Sequence, residues 1–282
     1  MNEHEGSNPV LITVDELQSA INSGNAPLLF DVRWQLGGDA ETARADYRAA
    51  HIRGAVFVDL EAQLTDPTGG EGRHPLPCPD HFERTARGLG VCNDRSVVVY
   101  DGASGMAASR LWWLLVDSGH PDVRVLDGGL AAWQQAGHEV ESGVNKPREG
   151  WFIAEPGQLD SVSADDVADT DTTVWDVRAA ERYRGEVEPI DPVAGHIPGA
   201  RNLPMADLLV DGHLRPAEEL RDRLAEVSDG DILYCGSGIT AGQMAWALHS
   251  IGRTDVSIYF GSWSDWVSDG SRPVEVSEPV TI

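Results

Sequence analysis

Leu28-Leu29-Phe30-Asp31-Val32-Arg33 returns later in the same chain as Thr173-Val174-Trp175-Asp176-Val177-Arg178. Three more stretches recur in the same order. Ala50-His51-Ile52-Arg53-Gly54-Ala55 is answered by Gly195-His196-Ile197-Pro198-Gly199-Ala200, and Val98-Val99-Tyr100-Asp101-Gly102 by Ile232-Leu233-Tyr234-Cys235-Gly236. Leu126-Asp127-Gly128-Gly129-Leu130-Ala131-Ala132-Trp133 is answered by Tyr259-Phe260-Gly261-Ser262-Trp263-Ser264-Asp265-Trp266. Repetition in one fixed order signals a duplicated unit, and a chain of 282 residues accommodates two units. The expected division is residues 1–143, a linker at 144–159 that carries Lys146-Pro147-Arg148 and Glu155-Pro156-Gly157, and residues 160–282.

Within each half, short apolar runs alternate with helical patterns, which predicts an α/β fold: a parallel sheet flanked by helices on both faces. Thr173–Val177 and Ile232–Tyr234 read as strands. Thr13-Val-Asp-Glu16 and Ser163-Ala-Asp-Asp166 resemble capping boxes that open helices. Met244, Leu248 and Ile251 fall at helical spacing in a segment from Thr240 that Gly252 ends. Cys235 therefore follows a strand on a glycine-rich loop that feeds a helix, the place where open α/β sheets bind ligands.

The net charge of −25 argues against nucleic acid and against anionic membrane surfaces. Lys146 is the only lysine, which all but removes Schiff-base chemistry, so an anion site must use arginine, backbone amides or helix ends. No apolar run reaches the length of a membrane span and the first residues lack a signal-peptide pattern, so the expectation is a cytoplasmic protein. Cys78, Cys92 and Cys235 are too few and scattered for a disulfide framework or zinc site; Cys78 and Cys92 read as inert. At Cys235 the glycines at 236 and 238 let the backbone aim its N–H groups inward, and the helix start adds partial positive charge. Both stabilise a thiolate or a persulfide anion.

Cys235-Gly236-Ser237-Gly238-Ile239-Thr240 resembles the loop of tandem rhodanese-family sulfurtransferases, and the likeness extends over nearly the whole chain. The resemblance implies two rhodanese-like domains, the first catalytically silent because Asp101 stands opposite Cys235. It implies Cys235 as the nucleophile and Gly236, Gly238, Ile239 and Thr240 as the cradle for the sulfur. Arg182 would bind the donor's anionic group, with Arg184 as second choice. Ser237, His74 and Glu61 match a serine–histidine–acid relay of the mercaptopyruvate-type enzymes. The implied partners are a small anionic sulfur donor and a thiol, cyanide or thioredoxin-like acceptor, with no metal or organic cofactor.

On the donor the residues divide. Gly236 and Ser237 stand where thiosulfate-using relatives carry Arg and Lys, which favours 3-mercaptopyruvate. Asp191 stands where mercaptopyruvate-type relatives carry a second arginine, which favours thiosulfate. The loop touches the sulfur directly, so the expected donor is 3-mercaptopyruvate, passed through a Cys235 persulfide, with thiosulfate as the alternative. A phosphatase of related fold would need an arginine six places after the cysteine, where Ala241 stands. A non-catalytic sulfur-relay or binding module is the third reading. The pairs His51/His196, Asp31/Asp176 and Arg33/Arg178 occur in both halves and are expected to be architectural.

Overall fold

The computed structural model describes residues 10–66, 68–70 and 72–277. The first half is built on a five-stranded parallel sheet of β1 (Leu11–Ile12), β2 (Leu28–Asp31), β3 (Val56–Phe57), β4 (Val97–Tyr100) and β5 (Val123–Leu126), in the spatial order β1-β5-β4-β2-β3. The second half repeats this with β6 (Val174–Asp176), β7 (Arg201–Asn202), β8 (Asp231–Tyr234) and β9 (Val256–Ile258), in the order β9-β8-β6-β7, again all parallel. A single parallel bridge from Ser161 to Ile258 stands where β1 pairs in the first sheet. The central strands β4 and β8 are buried along their whole length, as strands covered on both faces must be.

Both capping boxes form. Thr13 and Glu16 exchange hydrogen bonds at the start of α1 (Val14–Asn22), and Ser163 and Asp166 do so ahead of Ala164–Ala168. The paired polar residues are architectural in both halves. Arg33 holds Asp31 with Nε and Nη2 and reaches the Ala50 carbonyl, and Arg178 holds Asp176 and the Gly195 carbonyl in the same way. His51 and His196 each place Nδ1 2.7 Å from a tyrosine carbonyl, that of Tyr47 and Tyr183. Buried charges need such partners, because an unpaired one would carry its full desolvation cost.

The two halves share one core. Helix α3 (Ala108–Asp117) packs on α5 (Ile239–Ser250), and buried Trp112, Trp113, Trp246 and Met244 belong to one apolar cluster together with residues of both sheets. Trp113 meets Phe260 edge-on at 4.6 Å. Polar contacts reinforce the seam: Trp246 Nε1 donates to the Val10 carbonyl and Gln243 Nε2 to that of Ser104. The segment 144–159 contains no helix or strand. It is nonetheless fastened to the first half: Phe152 is fully buried, its N–H donates to the Val91 carbonyl, and Arg87 Nε donates to the Phe152 carbonyl.

Phe152→Ala is expected to lower the unfolding free energy by about 3–5 kcal/mol, the range for truncating a buried phenylalanine. Denaturant titration reads it, and a loss below about 1 kcal/mol would show that the segment contributes nothing to the core.

Candidate active site

Cys235 lies at the carboxyl end of β8, buried at 2% exposure at the floor of a cleft of about 300 Å3 between the halves. The loop is clamped from behind by the start of α6 (Ser262–Trp266). The Cys235 N–H donates to Ser262 Oγ at 3.1 Å, the Cys235 carbonyl accepts from Trp263 N–H and the Gly236 carbonyl from Ser264 N–H, both at 3.0 Å. Gly238 caps α5 with φ of 84°, and a Cβ there would meet Phe260 Cδ1 at 2.7 Å and its carbonyl at 2.8 Å. Glycine is thus required twice over, for conformation and for space.

The purpose of this loop is visible in its duplicate. After β4 the Asp101 carboxylate accepts four backbone N–H groups, from Ala103 and Gly105 at 3.0 Å, Ala107 at 2.9 Å and Ala108 at 3.4 Å. The strand–loop–helix turn is an anion cradle, and in the first half its anion is covalently part of the chain. In the second half Cys235 is the corresponding residue of the repeat, on a loop that reaches its left-handed glycine one residue sooner (Gly238 against Gly105).

The first half brings further groups to the cleft. His74 Nδ1 lies 2.7 Å from Ser237 Oγ, and its Nε2 lies 3.0 Å from Glu61 Oε1. Trp34 Nε1 also donates to Glu61 Oε1, at 2.8 Å. A carboxylate at Nε2 assigns the proton to that nitrogen, so Nδ1 accepts from the Ser237 hydroxyl. Burial holds the His74 imidazole below its ordinary value against the opposing pull of Glu61, with Arg110 and Arg73 lowering it further. It is therefore neutral at neutral pH. Beneath it Arg110 is wholly buried; its guanidinium donates to the carbonyls of Leu64, His74 and Pro75 and lies 4.9 Å from the Phe260 ring. Burial pushes Arg110 down to about 9, while the charges of Cys235 and Glu61 oppose the fall.

Arg182, in α4 (Ala180–Tyr183), lines the cleft and spans Glu188 with Nε at 3.2 Å and Nη2 at 2.7 Å. Thr240 and Ile239 line it beside Cys235.

Two segments, residues 13–136 and 160–269, match the model of the rhodanese-like domain. The chain belongs to the rhodanese family. A Mycobacterium tuberculosis protein, provisionally named thiosulfate sulfurtransferase SseB, is 41% identical over 94% of this chain and 96% of its own. A Pseudomonas aeruginosa protein, provisionally named a 3-mercaptopyruvate sulfurtransferase, is 39% identical over 96% of this chain and all of its own. The solved structure of Escherichia coli SseA, described as a 3-mercaptopyruvate sulfotransferase of rhodanese fold, superposes with a TM-score of 0.79 at 34% identity, covering 90% of this chain and 98% of that one. Duplicated rhodanese sheets, two rhodanese-like domains and sulfurtransferase chemistry are thus what the chain shares with its relatives.

Arg184 departs from the expectation. It pairs with Glu186 at 2.8 and 2.9 Å and does not line the cleft. Two residues along a helix rotate a side chain by about 200°, so Arg182 and Arg184 cannot face the same way. Three residues in the cleft escaped the sequence reading. Arg73 and Trp34 line it and Arg110 lies under it. The one available signal was Arg110, a cation directly before the apolar run Leu111-Trp112-Trp113-Leu114-Leu115.

Gly238→Ala is expected to cost more than about 1 kcal/mol of stability, as for any Cβ forced into a left-handed position. It should also abolish sulfur loading of Cys235 in intact-protein mass spectrometry. A variant that loads normally would show the loop tolerates the displaced Phe260 contact.

Proposed function

We propose that this sulfurtransferase takes sulfur from 3-mercaptopyruvate, carries it as a Cys235 persulfide and passes it to a thiol, cyanide or a reduced thioredoxin-like protein. The observation that supports this donor is the Glu61–His74–Ser237 chain ending beside the nucleophile. Mercaptopyruvate needs such a chain and thiosulfate does not. When the Cys235 thiolate attacks the donor sulfur, the carbon–sulfur bond breaks and its electron pair passes to the methylene carbon as the enolate of pyruvate. That carbon must then gain a proton, and the donor's own thiol proton supplies it: His74 Nδ1 takes that proton through the Ser237 hydroxyl and returns it by the same route, with Glu61 holding the imidazole. Sulfite leaves thiosulfate as a stable anion and requires no proton.

Arg182 anchors the donor carboxylate by charge-assisted hydrogen bonds, and the amides following Cys235 stabilise the sulfur anion left on the chain. In the second step an acceptor thiolate attacks the outer sulfur and Cys235 departs as thiolate. All three cysteines are free thiols, which suits a reducing cytoplasmic setting for such a carrier. Thiosulfate remains the second reading, and Asp191 is the observation that favours it: a carboxylate there stands where mercaptopyruvate-type relatives carry an arginine.

Cys235→Ser should release no pyruvate from 3-mercaptopyruvate. Ser237→Ala and His74→Gln should each lower kcat/KM for 3-mercaptopyruvate by about 10²-fold or more, the contribution of a positioned acid. The loss with thiosulfate should be at least about tenfold smaller. Equal losses with both donors would remove the proton relay from the mechanism, and a wild-type preference for thiosulfate by about tenfold would reverse the donor assignment.

A further inference from the structure

The first half carries a second cavity, of about 550 Å3, at the end of its sheet opposite to the cleft. Its lining includes residues at or just ahead of the starts of β2, β3 and β4. Those strands are parallel, so all three begin at the same end, away from Asp101. Residues 145–149, between the two halves, form another wall, and that wall is pinned on both sides. Asn145 Nδ2 donates to the Ala55 carbonyl at 2.9 Å and to Glu141 Oε1 at 2.7 Å, and the Gly150 N–H donates to the Arg87 carbonyl at 2.8 Å. Between them the backbone runs close to the first half: a Cβ on Gly90 would lie 2.8 Å from the Arg148 carbonyl. Lys146 and Arg148 are thus carried on a fixed stretch of chain.

The charge of this cavity inverts that of the chain. Acidic side chains outnumber basic ones 46 to 21 over the whole sequence. Here Arg53, Arg95, Lys146 and Arg148 line the space, with Glu149 as the one carboxylate among the lining residues. None of the four cations joins an ion pair among the described residues, and Arg95 donates only to the Ala26 carbonyl, at 3.3 Å. The neighbouring Glu141 carboxylate is occupied by the Gly54 N–H and by Asn145. Cations gathered without counterions repel one another, and an anion entering between them relieves that repulsion. The acidic surface elsewhere opposes this little, because charges beyond about 8 Å are largely screened at physiological ionic strength. The floor is of another kind: Ile21, Leu28 and Val56 are half-buried and line the same space. A ligand that satisfies both surfaces needs several negative charges and a flat or apolar body.

We propose that this cavity binds a small organic phosphate of the nucleotide kind, its phosphates held by Arg53, Arg95, Lys146 and Arg148 and its ring body on the apolar floor. The volume suits a molecule of that size. Bound there, the ligand ties the segment between the halves to the start of the first sheet. None of the four cations lines the cleft of Cys235, so the site is separate from sulfur transfer and independent of which donor is used.

Titration calorimetry with metal-free ATP as the probe is expected to give a Kd below about 1 mM. Lys146→Gln/Arg148→Gln should weaken it about tenfold, while leaving sulfur loading of Cys235 at the wild-type level. The charge-matched pair Arg221→Gln/Arg223→Gln, at the end of the helix Ala217–Arg223, should change it less than about twofold. A second readout locates the site in unaltered protein. Cys92 is half-buried and lines the cavity, whereas Cys78 is exposed and lies outside it. Saturating ATP should therefore slow alkylation of Cys92 about fivefold or more and leave Cys78 unchanged, as read by peptide mass spectrometry. Tripolyphosphate, which lacks the ring body, should bind at least about fivefold more weakly than ATP. No ATP binding below about 10 mM, equal losses in the two double variants, or no selective protection of Cys92 would overturn the site. Tripolyphosphate binding as tightly as ATP would overturn the ligand class.

Discussion

A guanidinium with no access to solvent governs the cleft. Arg110 enters from α3 of the first half and donates to three carbonyls, those of Leu64, His74 and Pro75, with one face on Phe260 of the second half. Taking that cation out of water is costly, and carbonyl dipoles and a ring face offset the cost together. The arrangement fixes the loop that carries Arg73 and His74 against the loop that carries Cys235. Removing the guanidinium would leave the Leu64 and His74 carbonyls without a donor, whereas the Pro75 carbonyl would keep the Asp66 N–H.

The first half lacks a nucleophile, yet it is not a passive wall. It contributes the imidazole, its carboxylate, the indole that orients that carboxylate, and Arg73. The second half contributes the sulfur, its cradle and Arg182. Chemistry therefore depends on the relative placement of two domains to within a fraction of an ångström, and the shared tryptophan-rich core between α3 and α5 is what supplies that rigidity.

What could be read from the chain was local. The repeat, both capping boxes, the strand before Cys235 and the helix after it follow from periodicity and short-range chemistry. Gly238 was legible because its role needs only backbone conformation and a neighbour set by the fold's own repeat. Ser237, His74 and Glu61 were legible only through resemblance. Arg73, Trp34 and Arg110 were not, because each acquires its meaning from a contact across the interface, such as Arg73 with Asp191. Asp191 looked like a departure from pattern for the same reason: its partner comes from far away in the sequence. Arg184 misled because nearness along a helix was taken for nearness in space.

The carboxylate of Asp101 has a further consequence. Tethered to the backbone through a single methylene and gripped by four amides, it stands at its cradle with an effective concentration far above that of any dissolved anion. No diffusing donor can displace it, so the cradle of the first half is permanently self-saturated. Duplication has thus doubled the fold without leaving a second open cradle.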